Sequence, residues 1–315
     1  MAGVRSGMLA VLVSATWAAA LVSCSSSPTV SPGVAQADVS GLFDVDGRTL
    51  HLDCRGIGTP TVILQSGYGD AGDIWSLAEQ RPPAVHPAIA ESTRVCAYDR
   101  PGSTITTTTE DGVTVALSAP RPGRSGTAPM PRDPADVIEE LHDLLAAAEV
   151  TGPYVLVGHS LGGTLSVLYA RTYADQVSGL VIVDSPQPTL RHTLTPEQWE
   201  LAAIAESDPE SLPGYELEAY DIGLLFDRID AAPPLPAIPV VVLQRGEVRL
   251  GDAPIPDELA ADVLAINHAQ LQSQAEFAAG VPGAELIIVP GTTHYVQTQR
   301  PDAVIEAIRQ VIRRQ

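Results

Sequence analysis

The sequence predicts an α/β domain built on a largely parallel sheet with helices on both faces. Three observations carry this. Apolar runs rich in Val, Ile and Leu recur along the chain without alternating with polar residues, the pattern of strands buried on both faces. Helix-like segments lie between these runs, and alternation of strand and helix is how a parallel sheet is threaded. The third is the pentapeptide Gly158-His159-Ser160-Leu161-Gly162, set between an apolar run (Tyr154 to Val157) and a helix-like segment (Thr164 to Tyr173).

In chain order, the first residues carry Arg5 and then an apolar stretch from Met8 to Val22. At about fifteen residues it is shorter than the roughly twenty that span a membrane, and it reads as a signal peptide. It ends in Leu21-Val22-Ser23-Cys24, similar to a bacterial lipobox in which Cys24 would be lipidated and become the mature N-terminus. The alternative is ordinary cleavage after Ala35-Gln36-Ala37. Residues 1–24 are thus expected to be a leader and 25–40, rich in Ser and Pro, a flexible tether. Lipidation would place the protein outside the cytoplasmic membrane. Export would also put Cys54 and Cys96 in an oxidising compartment, where a disulfide is expected and two separate buried thiols are the alternative.

From Gly41 to Arg55 two short strands meet at Asp46-Gly47, a strong hairpin signal. Strand-like runs follow at Thr61–Gln65, Arg94–Tyr98, Tyr154–Val157, Leu180–Val183, Pro239–Leu243 and Ala284–Val289, eight strands with the hairpin. The clearest helix starts at Asp133 as N-cap with Pro134 at N1, and a last one runs from Pro301. Residues 101–132, rich in Thr, Pro and Gly, read as a long connection, mobile or packed at a functional rim. Residues 186–237 interrupt the alternation and contain Thr195-Pro196-Glu197-Gln198, a capping box. They read as a cap over a pocket, with Trp199, Leu201, Leu224, Leu225 and Phe226 as its apolar side, or as a solvated acidic face.

Acidic residues outnumber basic ones 38 to 18, for a formal charge of −20, which repels phosphate backbones and argues against nucleic acid as a partner. All basic residues are arginine, so Schiff-base chemistry, a Walker-type lysine and a Ser-Lys dyad are excluded. If Ser160 is activated, a histidine must be its base. The strand–G-x-S-x-G–helix context reads as a nucleophile elbow, where a tight turn presents the serine at a helix N-terminus and the Leu161 N–H can meet an oxyanion.

Strand, elbow, helix, cap and a late strand followed by Pro290-Gly291-Thr292-Thr293-His294-Tyr295 resemble the α/β-hydrolase superfamily across residues 41–315. The runs Val95 to Gly102 and Arg300-Pro301-Asp302 look like its exported actinobacterial serine hydrolases. The resemblance implies a mostly parallel eight-stranded sheet with a small cap, an acyl-enzyme route on a small-molecule ester, and no metal or organic cofactor. Members with an aspartate nucleophile, dehalogenases and epoxide hydrolases, are disfavoured by Ser160. An amidase or peptidase on the same residues, or a non-catalytic binding protein, are the alternatives. In this fold the second strand neighbours the fourth, which would bring Cys54 beside Cys96.

His294 falls where the fold places the general base. The acid is less regular, because the segment Gln244 to Asp252 lacks the usual Gly-x-x-Asp spacing and has Arg249 in the expected place. Asp184, directly after the preceding strand, is the first candidate, with Asp252 and Glu247 as alternatives. A second oxyanion donor is expected from Ser66-Gly67-Tyr68-Gly69, by position the Tyr68 N–H. Asp99 and Arg100 are expected to hold a loop at the rim of the site.

Overall fold

The computed structural model describes Gly3 and residues 38–315 apart from 111–112, 204–211, 213 and 250–255. The leader, the lipobox cysteine Cys24 and nearly all of the tether therefore lie outside the described residues. The chain divides at residue 34, and the second unit, 35–315, has the following architecture.

Its strands and helices run β1 (Val39–Val45), β2 (Arg48–Arg55), β3 (Thr61–Gln65), α1 (Val85–Ala90), β4 (Val95–Tyr98), β5 (Thr104–Glu110), β6 (Val113–Pro122), α2 (Pro134–Ala147), β7 (Tyr154–His159) and α3 (Leu161–Thr172). There follow β8 (Val177–Val183), α4 (Leu190–Thr193), α5 (Pro196–Ala203), α6 (Ile222–Ala231), β9 (Val240–Arg245), α7 (Ala260–Gly280), β10 (Glu285–Val289), α8 (Val296–Gln299) and α9 (Pro301–Arg313).

Eight strands form one sheet in the order β1-β2-β4-β3-β7-β8-β9-β10. Pairing is parallel from β4 to β10, and β2 is antiparallel to both neighbours. The expected α/β-hydrolase sheet is present. β1 begins at Val39, so the last residues assigned to the tether belong to the sheet. Asp46 and Gly47 both adopt positive φ, 48° and 79°, the requirement of a type I′ hairpin turn.

The unalternating runs have a simple physical cause, since both faces of each central strand are buried. Ile63, Leu156, Leu180 and Val242 face a core shared with α2, α3 and α6. Val62, Val157, Val181 and Leu243 face the other, shared with α1 and α9. Helix starts follow local chemistry: Asp133 accepts a hydrogen bond from the Ala135 N–H at 2.9 Å, ahead of Pro134. Thr195 and Gln198 complete their capping box reciprocally, at 3.2 Å each way.

The stretch 101–132 differs from the expected irregular connection, because β5 and β6 pair into a separate two-stranded antiparallel sheet. β-branched Thr106 to Thr109 and the intervening Asp111-Gly112 carry that signal in the sequence. The segment 186–237 supplies α4, α5 and α6 between β8 and β9. Leu225 and Phe226 are buried, Leu224 is half-buried, and Trp199 packs 5.9 Å from Phe226.

Cys54 and Cys96 stand directly opposite one another on β2 and β4, with Cα atoms 4.0 Å apart, and are joined by a disulfide. The bridge spans 42 residues of chain and is completely buried. Replacing both cysteines by alanine is expected to cost about 2–4 kcal/mol, read as a lower urea midpoint relative to the oxidised parent.

Candidate active site

Ser160 stands between β7 and α3 as the N-cap of the helix, with φ 50° and ψ −123°, a conformation that L-residues adopt only under constraint. The constraint is close packing of backbone. A Cβ at Gly158 would lie 2.3 Å from the Gly162 carbonyl oxygen. One at Gly162 would lie 2.3 Å from the Gln65 carbonyl oxygen and 2.4 Å from that of Ser66. The glycines thus let the first turn of α3 press against the end of β3, bringing the Leu161 amide and the Gly67-Tyr68 turn to the same place. The Leu161 N–H belongs to the first helical turn, whose amides have no acceptor inside the helix.

Ser160, Leu161, Tyr68 and His294 line one cavity of about 310 Å³, within the range of small-molecule sites. His294 lies in the loop after β10. Its Nδ1 donates to Asp184 Oδ2 at 2.7 Å when that carboxylate is ionised. Asp184 itself follows β8 with φ 44°, a second strained residue at the site. Its Oδ2 also accepts from Arg245 Nη1 at 2.5 Å, and its Oδ1 from Gln274 Nε2 at 3.1 Å. Burial alone would raise the Asp184 carboxyl. The His294 hydrogen bond, the His294 and Arg245 charges and the Gln274 bond outweigh that and hold it well below the usual carboxylate range.

Glu247, weighed as an alternative acid, is solvent-exposed, and its backbone N–H bonds the Thr292 carbonyl at 3.0 Å. The end of β9 is taken instead by Arg245, which points to Asp184 and is steadied by Asn267 Oδ1 at 2.6 Å. Asp252 lies outside the described residues.

His159 is buried beside this group and donates from Nε2 to the His294 carbonyl at 2.9 Å. Burial, and then the nearby His294, push it down to about 3, so it stays neutral and props the His294 loop. A Cβ at Gly67 would come within 2.8 Å of its Nδ1, which keeps that turn position glycine.

Arg100 acts behind the site, fully buried. It donates to the Ser66 carbonyl at 2.8 Å and the Gly67 carbonyl at 2.5 Å. Its other face pairs with Glu218, at 2.8 and 3.0 Å. Glu218, from the segment between β8 and β9, also receives the Gly69 N–H and the Tyr220 hydroxyl. The segment between β8 and β9 and the turn after β3 are thereby locked together through one buried ion pair. Sequence reasoning placed Arg100 at the rim but did not find Glu218, one of ten acids in an acidic insertion. Asp99 holds the next layer, accepting from the Gly72 N–H and from Arg124. Glu218→Gln removes the counter-charge of a buried guanidinium and is expected to destabilise by about 3–5 kcal/mol, measurable by urea unfolding.

The profile of the alpha/beta hydrolase family matches residues 62–307. A Serratia proteamaculans protein named as a carbamate hydrolase is 30% identical over 149 residues, 47% of this chain and 43% of its own. The chain spans less than half the length of the first curated relatives it matches. Among solved structures, an esterase from Thermogutta terrifontis superposes with a TM-score of 0.56 at 19% identity, over 88% of this chain and 98% of that one. The enol-lactonase of Burkholderia xenovorans gives 0.55 at 16%, over 87% and 100%. At such identities these structures speak to fold alone, whereas the profile covers most of the chain, with the strained serine, the histidine and the buried aspartate inside it: the protein belongs to the alpha/beta hydrolase family.

Proposed function

We propose that the protein is a serine hydrolase that cleaves an ester or related acyl bond through an acyl-enzyme. Ser160 Oγ attacks the acyl carbon while His294 takes its proton, and the Leu161 and Tyr68 N–H groups hold the oxyanion. His294 then returns the proton to the departing alcohol. Water, deprotonated by the same imidazole, releases the acid and regenerates Ser160. Asp184 holds the imidazole with Nδ1 protonated, leaving its other nitrogen basic. The observation that carries this reading is a positive-φ serine at a strand–helix junction, lining one cavity with a histidine that is hydrogen-bonded to a buried aspartate.

Labelling with a fluorophosphonate tests it. Covalent mass at Ser160, with paired ester and amide substrates, is expected to show a labelled serine and faster ester turnover. A folded protein that takes no label would point instead to a binding role on the same scaffold, and faster amide cleavage to an amidase or peptidase. The proposal includes export and anchoring through a lipid on Cys24. The Cys54–Cys96 bridge favours an oxidising compartment, and loss of palmitate incorporation in Cys24→Ala is the test.

A further inference from the structure

Asp70 stands in the turn after β3, two residues beyond Tyr68, and lines the same cavity as Ser160 and His294. Its side chain is only 5% exposed, and Oδ2 is buried without a hydrogen-bond partner. The backbone of Asp70 is fixed, its N–H donating to the Gly67 carbonyl at 3.2 Å and its strand bridge made to Thr104. The carboxylate is therefore held in place, but not by a counter-ion of its own.

The groups around it explain why. Arg100 is the nearest cation, and its guanidinium is already taken by Glu218 and by the Ser66 and Gly67 carbonyls. Asp73 and Glu218 are acids, His159 is neutral, and the Tyr295 phenol, from the loop after β10, donates a hydrogen bond to the Asp70 carboxyl that leaves its charge unbalanced. Burial raises the Asp70 carboxyl; Arg100 opposes this, Asp73 and Glu218 add to it, and the group comes to about 7.

The cavity wall has the matching composition. Tyr68, Trp199, Tyr220 and Tyr295 place four aromatic rings on it, and among the described lining residues there is no arginine. The chain has no lysine. A bound anion would meet a carboxylate whose nearest cation, Arg100, is already paired with Glu218. A neutral apolar group would bury that carboxylate further at a cost in desolvation. A cation instead finds a buried carboxylate in a wall that includes aromatic side chains, the two kinds of group that bind ammonium groups. A formal charge of −20 raises the local concentration of such molecules as well.

We propose that the substrate carries a positively charged ammonium group and that Asp70 binds it. The inference rests on the hydrolase reading for the position of the scissile bond beside Ser160.

Two isosteric pairs of permanent charge against none test it at pH 8 on the full chain: betaine ethyl ester against ethyl 3,3-dimethylbutanoate for charge on the acyl side, and acetylcholine against 3,3-dimethylbutyl acetate for charge on the alcohol side. The parent is expected to favour the charged member of at least one pair by tenfold or more in kcat/KM. In Asp70→Asn, which keeps the shape, that ratio is expected to fall toward one. No preference in either pair, or a preference that survives Asp70→Asn, overturns the proposal. Calorimetric titration with benzyltrimethylammonium gives a reading that needs no turnover. Binding to the parent at least tenfold tighter than to a folded Asp70→Asn protein sustains the subsite, and equal or absent binding in both overturns it. Fluorophosphonate labelling of Ser160 reports on the hydrolase reading alone, so the two failures are distinguishable.

Discussion

Ser160→Ala is expected to lower kcat/KM toward an activated ester by about 10⁴–10⁶-fold, with the residual rate coming from the oxyanion donors and from binding. The size follows from the route. Without Oγ no acyl-enzyme forms, and water must attack directly from a position that neither the elbow nor His294 was built to serve. The fold should be unharmed. Ser160 holds φ 50° because Gly158, Gly162 and Gly163 press around it, and alanine at that position loses only a hydroxyl. A thermal midpoint at or slightly above the parent's is the companion result, since relief of an active-site demand often stabilises. A Ser160→Ala protein that keeps full turnover would place the nucleophile elsewhere.

Much of this site was legible in the sequence because its constraints are local. A strand, two glycines around a serine and a helix define the elbow within one continuous stretch, residues 154–172, and the carbonyls of Gln65, Ser66 and Gly162 show why no side chain fits at Gly158 or Gly162. His294 stood out through the resemblance, which places a histidine in the loop after the final strand, and the structure sets that histidine 2.7 Å from Asp184. The cysteines needed topology, because 42 residues separate them until β2 and β4 pair.

What stayed hidden depends on partners far apart in the chain. Glu218 meets Arg100 across 118 residues, and no local pattern distinguishes it from the acids around it. Asp70 reads as an ordinary turn aspartate until the cavity is drawn around it. The β5–β6 sheet is masked in the sequence because the Pro and Gly residues of 101–132 surround its β-branched run. At the end of β9 an arginine, Arg245, stands close to where an acid was sought, and its meaning appears only when its guanidinium is seen to hold Asp184.

That arrangement makes Asp184→Asn the sharpest test of which carboxylate serves His294. The substitution is nearly isosteric, but an amide has no net charge and can present its NH₂ to Nδ1, favouring the tautomer that cannot take the Ser160 proton. A fall in kcat of about 10⁴ is expected, with KM little changed. A second effect arises behind the site, where Arg245, 4% exposed, loses its charged partner and keeps only Asn267 and Gln270 as acceptors. Stability should fall by about 3–5 kcal/mol as well, so kcat has to be measured well below the unfolding midpoint. Arg245→Gln separates the two effects. It removes one charge from the pair but leaves the 2.7 Å bond from His294 to Asp184 in place, so it should destabilise without the full catalytic loss. Glu247→Gln, on a side chain out in solvent, is expected to alter kcat by less than about twofold, as surface changes remote from the chemistry usually do. Full turnover in Asp184→Asn together with its loss in Glu247→Gln or Asp252→Asn would transfer the role of acid to the segment after β9, and Asp184 would then serve only to join β8, Arg245 and the His294 loop.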